Sequence, residues 1–83
     1  MIPVVKLTLV SRRYCHLCTE MAVALETLAA EFGVAVEVVD VDADAALEAR
    51  YDELVPVLLH EGRELCHYFL DTSKVRDYLS EIR

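Results

Sequence analysis

From Val4 to Val10 the chain is apolar and rich in β-branched residues, broken only by Lys6 and Thr8. A short run of this kind predicts a largely buried strand. Ser11 to Tyr14 is a polar loop. From about Cys15 to Glu31 the period changes, with Met21, Leu25, Leu28 and Phe32 recurring at helical spacing. Glu20, Glu26 and Glu31 fall mostly off that stripe, the signature of an amphipathic helix. Gly33 follows as a plausible left-handed stop. Val34 to Val41 predicts a second strand.

Beyond it, Asp42 or Asp44 can cap a helix carrying Leu47, Tyr51 and Leu54 at i, i+4 and i+7. Val55-Pro56 ends that helix, and Val57-Leu58-Leu59 reads as a third strand. Glu61-Gly62 is a tight-turn signal leading into a fourth strand over about Glu64 to Phe69. Asp71 then caps a last helix with Val75, Tyr78, Leu79 and Ile82 on one stripe. The order is β-α-β-α-β-β-α. Its first β-α-β should be a right-handed parallel crossover and its last two strands an antiparallel hairpin. The expected fold class is therefore α/β, a four-stranded mixed sheet flanked by helices with the first strand inside it. Ligands of such sheets bind beyond the C-terminal strand ends, which is where Cys15 falls.

That position gives Cys15-His16-Leu17-Cys18 its weight. A thiol in the first helical turn meets unpaired N–H groups and the positive end of the helix dipole, which stabilise thiolate, the attacking form. Cys18, about one turn on, can reach Cys15, so the pair can cycle between dithiol and disulfide. On residues alone the pair can also be a redox-silent couple of thiols or half of a zinc site. Cys66, in an apolar strand, reads as a small buried hydrophobe. Adjacent strand residues face opposite ways, which argues against Cys66 and His67 joining Cys15 and Cys18 around one ion. His60 reads as a strand-end surface residue. Asp40-Val41-Asp42-Ala43-Asp44 reads as loop and cap; a calcium loop needs more ligands and a turn glycine.

Composition sets limits on these readings. At 83 residues the chain is expected to be a single domain, residues 1–83, burying only about 60–65% of its unfolded surface. With 55% hydrophobic residues and only two Gly and two Pro, it has the material for a core and not for a disordered segment. Three cysteines do not make an even disulfide framework. The start has no basic region ahead of an apolar stretch and no run nears membrane-spanning length, so a reducing compartment such as the cytoplasm is expected, with no membrane partner. A net charge of −7 argues against a nucleic-acid partner, which needs a basic face. The charge is uneven: residues 1–19 hold Lys6, Arg12 and Arg13 and no acid, while the rest hold fifteen acids and five cations. Arg12 and Arg13 thus put positive charge before Cys15, either as solvated loop residues or as an anion site.

The element order, with Cys-x-x-Cys after the first strand and Val-Pro before the third, resembles the glutaredoxin branch of the thioredoxin fold, and in particular the short bacterial glutaredoxin-like proteins. The resemblance covers essentially the whole chain. It implies that Cys15 is the nucleophile and Cys18 the resolving cysteine. It also implies that Pro56 is cis and faces the motif, although cis is the minority choice at about 5–6% of X–Pro bonds in folded proteins. Val55 would offer its backbone to an extended substrate, and Arg12 falls where glutaredoxins often carry a lysine that pairs with a glutathione carboxylate. Two departures stand out. His16-Leu17 replaces the usual Pro-Tyr, and Leu65-Cys66-His67-Tyr68-Phe69 has no glycine where the family has a Gly-Gly pair, so side chains fill space normally left to glutathione.

The activity so implied is a small thiol–disulfide oxidoreductase acting on protein or low-molecular-weight disulfides. It needs no tightly bound cofactor and is re-reduced by glutathione or a reductase, and the protein is expected to be a monomer. Arg12, Tyr14, His16, Val55 and Pro56 are the candidate substrate contacts, and no metal ligand is assigned. Two rival readings stay open: a metal or iron–sulfur carrier using Cys15, and a thioredoxin-fold binding module without redox activity.

Overall fold

The structure, a computed structural model, describes residues 5–82. Strand β1 (Lys6–Ser11) pairs in parallel with β2 (Ala35–Asp40) and antiparallel with β3 (Val57–His60), which pairs antiparallel with β4 (Arg63–His67). The sheet order is β2-β1-β3-β4, so the first strand lies inside a mixed sheet as the patterning requires. The helices are α1 (His16–Phe32), α2 (Ala45–Tyr51) and α3 (Thr72–Ile82), and a single 3-10 turn spans Val41–Ala43. Val4, placed in the first strand on sequence grounds, lies outside the described residues.

Alternation along β1 and β3 divides the interior into two layers. Leu7, Leu9 and Leu58 join Met21, Leu25 and Leu28 of α1 and Val75 and Leu79 of α3. Val10, Val57 and Leu59 turn the other way and pack with Val41 and Tyr51. Side chains that alternate across a strand line opposite faces, so the same two strands serve both cores.

The termini of the elements follow local chemistry. Gly33 stops α1 at φ 66°, a conformation glycine adopts without a Cβ penalty. Of the two acids that could start α2, Asp44 does so, accepting from the N–H groups of Ala46 (2.8 Å) and Leu47 (3.3 Å). The helix ends at Tyr51, so Leu54 lies in the loop beyond it. Glu61 and Gly62 both have positive φ, the geometry of a tight hairpin turn. Asp71 starts α3, its carboxylate accepting from the Lys74 N–H at 3.1 Å.

Strand β4 stops at His67, two residues short of the sequence expectation. Tyr68 takes φ 66°, turning the chain out of the sheet, and its N–H donates to the Pro56 carbonyl at 2.9 Å. Left-handed backbone is uncommon for a residue of this size.

Candidate redox site

Cys15 is the N-cap of α1. Its backbone is extended (φ −102°, ψ 110°) and its Sγ accepts from the Cys18 N–H at 3.1 Å. A sulfur thus occupies the place where Ser or Asp usually satisfies a free amide of the first turn. The helix continues beneath it, the Thr19 N–H donating to the Cys15 carbonyl at 3.1 Å. Cys15 and Cys18 are joined as a disulfide with their Cα atoms 5.2 Å apart, a separation within the ordinary range for such a bond. The two sulfurs are unequally placed. Cys15 is half-exposed at the loop–helix junction, whereas Cys18 points inward at 5% exposure.

The residues around the pair were only partly foreseen. Tyr14 precedes Cys15 with φ 58° and a fully exposed ring. His16 is solvent-exposed and its Nε2 lies 3.0 Å from the Glu20 carboxylate one turn on. Val55 is half-buried and Pro56 fully buried, and the peptide bond between them is cis. Among the described residues no hydrogen bond occupies the Val55 amide or carbonyl, so both remain available to a partner backbone.

Arg12 is engaged within the chain. It is not a free cation for a substrate carboxylate. Its Nε and Nη2 grip both oxygens of Asp42 at 2.9 Å, its Nη1 donates to the Asp52 carbonyl at 3.2 Å, and Nη2 also meets the Asp52 carboxylate. The cause lies in the sheet register. Ser11 pairs with Asp40, so the chain leaving β2 carries Asp42 alongside the residue that follows Ser11. The guanidinium holds the Asp42 carboxyl below the usual carboxylate range, chiefly through the hydrogen bond, and the two acids raise Arg12's own pKa, Asp42 first. Lys6 is likewise matched, 2.7 Å from Glu37. The positive segment seen in sequence is therefore largely neutralised by the acids folded against it. Arg13 alone of its three cations makes no ion pair among the described residues.

Arg12 consequently acts as a tie, fastening the loop before Cys15 to the 3-10 turn and to the end of α2, three residues ahead of Val55. Sequence inspection missed this role, although the excess of acids after β2 was its available signal. It also missed Tyr68, whose phenol donates to the Glu53 carbonyl at 2.8 Å while its amide binds Pro56, so that one residue spans the Val55–Pro56 loop. Nothing in local propensity announces a tyrosine in left-handed backbone.

Cys66 and His67 do not gather with the Cys15–Cys18 pair. Among the described residues, the one group of three or more metal-donor side chains is Asp42, Glu48 and Asp52, all exposed, and two of these already hold Arg12. Burial pushes the Cys66 thiol pKa up, which keeps it protonated and poorly nucleophilic. No helix among the described residues is long and apolar enough to cross a membrane.

Known proteins agree with this architecture. Residues 6–80 match the model of the glutaredoxin-like domain (DUF836) family. An uncharacterized protein of Mycobacterium tuberculosis is 32% identical over 73 residues, 82% of this chain and 75% of that protein. Among solved structures, a Nitrosomonas europaea protein superposes with a TM-score of 0.83 at 38% identity, covering 94% of both chains. A protein from X. campestris gives 0.68 at 42% identity over 90% of this chain and 96% of that one. Thioredoxin 1 of Thermosipho africanus, 21% identical over 93% of this chain and 97% of its own, shares the fold with a TM-score of 0.63. The chain has a thioredoxin-like fold and belongs to the glutaredoxin-like domain family (DUF836).

Proposed function

We propose that this protein is a thiol–disulfide oxidoreductase in which Cys15 attacks and Cys18 resolves. The observation that carries the reading is the asymmetry of the pair: a half-exposed sulfur capping a helix and accepting an N–H, bonded to a buried one on the next turn. A thiolate at Cys15 would receive that N–H and the positive end of the α1 dipole, both favouring the charged form.

In the forward direction Cys15 thiolate attacks one sulfur of a substrate disulfide. This forms the Cys15–substrate bond and expels the other sulfur as a thiolate, which takes up a proton. Cys18 thiolate then attacks the Cys15 sulfur, forming the Cys15–Cys18 bond and releasing the second substrate thiol. Two electrons pass from dithiol to substrate, and a thiol reductant, glutathione or a thioredoxin reductase, returns the protein to the dithiol state. The free amide and carbonyl of Val55 suit an extended substrate segment, and Tyr14 and His16 flank the reactive sulfur. Such a cycle needs no tightly bound cofactor and suits a monomer in a reducing compartment such as the cytoplasm.

The test is a pair of variants assayed on a small disulfide and on an oxidised protein. Cys15→Ser is expected to abolish turnover, and Cys18→Ser to accumulate mixed disulfides visible by mass spectrometry. Turnover retained in Cys15→Ser overturns the reading.

A further inference from the structure

A cleft of about 230 Å³ lies between the first half of α1 and the segment after β4. Leu17, Met21 and Ala24 of α1 form one wall, and Tyr68, Phe69 and Leu70 of the segment after β4 form the other. Leu17, the residue before Cys18, belongs to the Cys-x-x-Cys motif and places the cleft next to it along α1. Tyr68 connects it to the Val55–Pro56 loop through its bonds to Pro56 and Glu53. The apolar rings on this side are not packed away: Phe69 is 66% exposed and Tyr68 39%.

We infer that this cleft is a specificity subsite for one apolar side chain next to the cysteine of a polypeptide disulfide, and that the rim favours a basic over an acidic neighbour. The inference deepens the oxidoreductase reading and rests on it for the chemistry.

Three observations carry it. The volume lies below the roughly 300–1,000 Å³ of pockets that hold whole small molecules, and it matches a single side chain better than a tripeptide. The lining is largely apolar; its two polar residues are Thr72 and Glu20, whose exposed carboxylate also lies 3.0 Å from His16 Nε2, and no cation lines it. Glutathione, by contrast, is anionic, and the residue expected to receive one of its carboxylates, Arg12, is already held by Asp42 and Asp52. Where the family leaves glycine space, Tyr68 presents a ring. A peptide chain has what the site offers: backbone groups for Val55, an apolar side chain for the cleft, and no requirement for a cation.

The experiment compares probes with one shared leaving group. Each is a mixed disulfide with 2-mercaptoethanol: a short peptide with Leu and Lys near its cysteine, the same peptide with Ser for Leu, the same with Glu for Lys, and glutathione. Full desolvation of a leucine side chain predicts that the Leu–Lys peptide is reduced roughly tenfold faster than the Ser peptide. It should also outrun the Glu peptide and the glutathione probe. Phe69→Ser removes an exposed wall without touching the cores, and is expected to bring the Leu and Ser peptides within about threefold of each other. Equal rates for the Leu and Ser peptides, a ratio unmoved by Phe69→Ser, a Glu peptide as fast as the Lys peptide, or glutathione as the fastest probe would each overturn the inference.

Two further arms separate it from the reading it rests on. Bis(2-hydroxyethyl) disulfide reports reactivity alone, and failure to reduce it overturns the oxidoreductase reading. Amide shifts on adding the Leu peptide with Ser for its Cys report binding alone. Shifts centred on Leu17, Ala24, Phe69 and Leu70 uphold the subsite whatever the chemistry, and shifts elsewhere, or none, refute it.

Discussion

Tyr51 closes α2 and is the one aromatic ring in the smaller of the two cores, 6% exposed and packed with Val10, Val41, Val57 and Leu59. Val55 and Leu54 lean on the same cluster, and the Leu54 N–H donates to the Tyr51 carbonyl at 2.8 Å. The ring therefore supports the loop that carries Val55 and Pro56. Replacing it with Ala removes most of a buried aromatic side chain. At about 25 cal/mol per Å² the whole side chain, roughly 150–250 Å², is worth about 4–6 kcal/mol; Ala keeps part of that area, and with the cavity left behind the net loss is on the order of 3–5 kcal/mol.

A chain of 83 residues holds only about 4–12 kcal/mol in total, so Tyr51→Ala should cost roughly a quarter or more of the fold's stability. Its Tm should fall by about 4–8 °C for each kcal/mol lost. Tyr51→Phe is the control. The phenol oxygen makes no hydrogen bond among the described residues and is not a stranded buried group, so this change should stay within about 0.5 kcal/mol. Urea unfolding followed by circular dichroism, on protein held reduced, measures both. A cost below about 1 kcal/mol for Tyr51→Ala at unchanged m-value, or equal costs for Ala and Phe, would refute the packing argument.

Asp44→Ala removes the cap that satisfies two amides of α2 and should cost about 1 kcal/mol in the same unfolding assay, a neutral result showing the cap to be idle. Asp42 is held below its ordinary range, so its pair with Arg12 stabilises the fold above the unfolded carboxyl value, near pH 4, and that contribution drains away as pH falls through the lower folded value. Arg12→Gln should therefore be less stable at neutral pH, with the gap to wild type shrinking on acidification; a gap constant from pH 7 to pH 2 contradicts the assignment. Burial raises the Cys66 pKa, so iodoacetamide should label Cys66 slowly in the folded protein at pH 7 and faster only above the ordinary thiol range of about 8.5. Peptide mass mapping checks this, and labelling at the unfolded rate would refute it.

The elements were legible where period and punctuation agree. Met21, Leu25 and Leu28 marked the buried face of α1, Gly33 its end, and Glu61-Gly62 the hairpin, because each of these signals acts over a few residues. The Cys15–Cys18 pair at a strand–helix junction was legible for the same reason. What the sequence hid was mostly set by partners distant along the chain. Arg12 looks like a free loop cation until the register of β1 on β2 brings Asp42 beside it, thirty residues on. Tyr68 looks like strand until its amide finds Pro56 and its phenol finds Glu53, contacts that outweigh the cost of left-handed backbone. Asp44 and not Asp42 caps α2 because the 3-10 turn over Val41–Ala43 takes up Asp42 and leaves Asp44 directly before the helix.

The unequal exposure of the two sulfurs also bears on damage. Peroxide approaching the reduced protein meets Cys15 long before it reaches Cys18. A sulfenic acid formed at Cys15 has a thiol waiting one helical turn away, and the two condense with loss of water to the disulfide. Further oxidation to the irreversible sulfinic and sulfonic acids is thereby forestalled. Burying Cys18 keeps one sulfur in reserve, so oxidative injury at Cys15 ends in the recoverable Cys15–Cys18 disulfide.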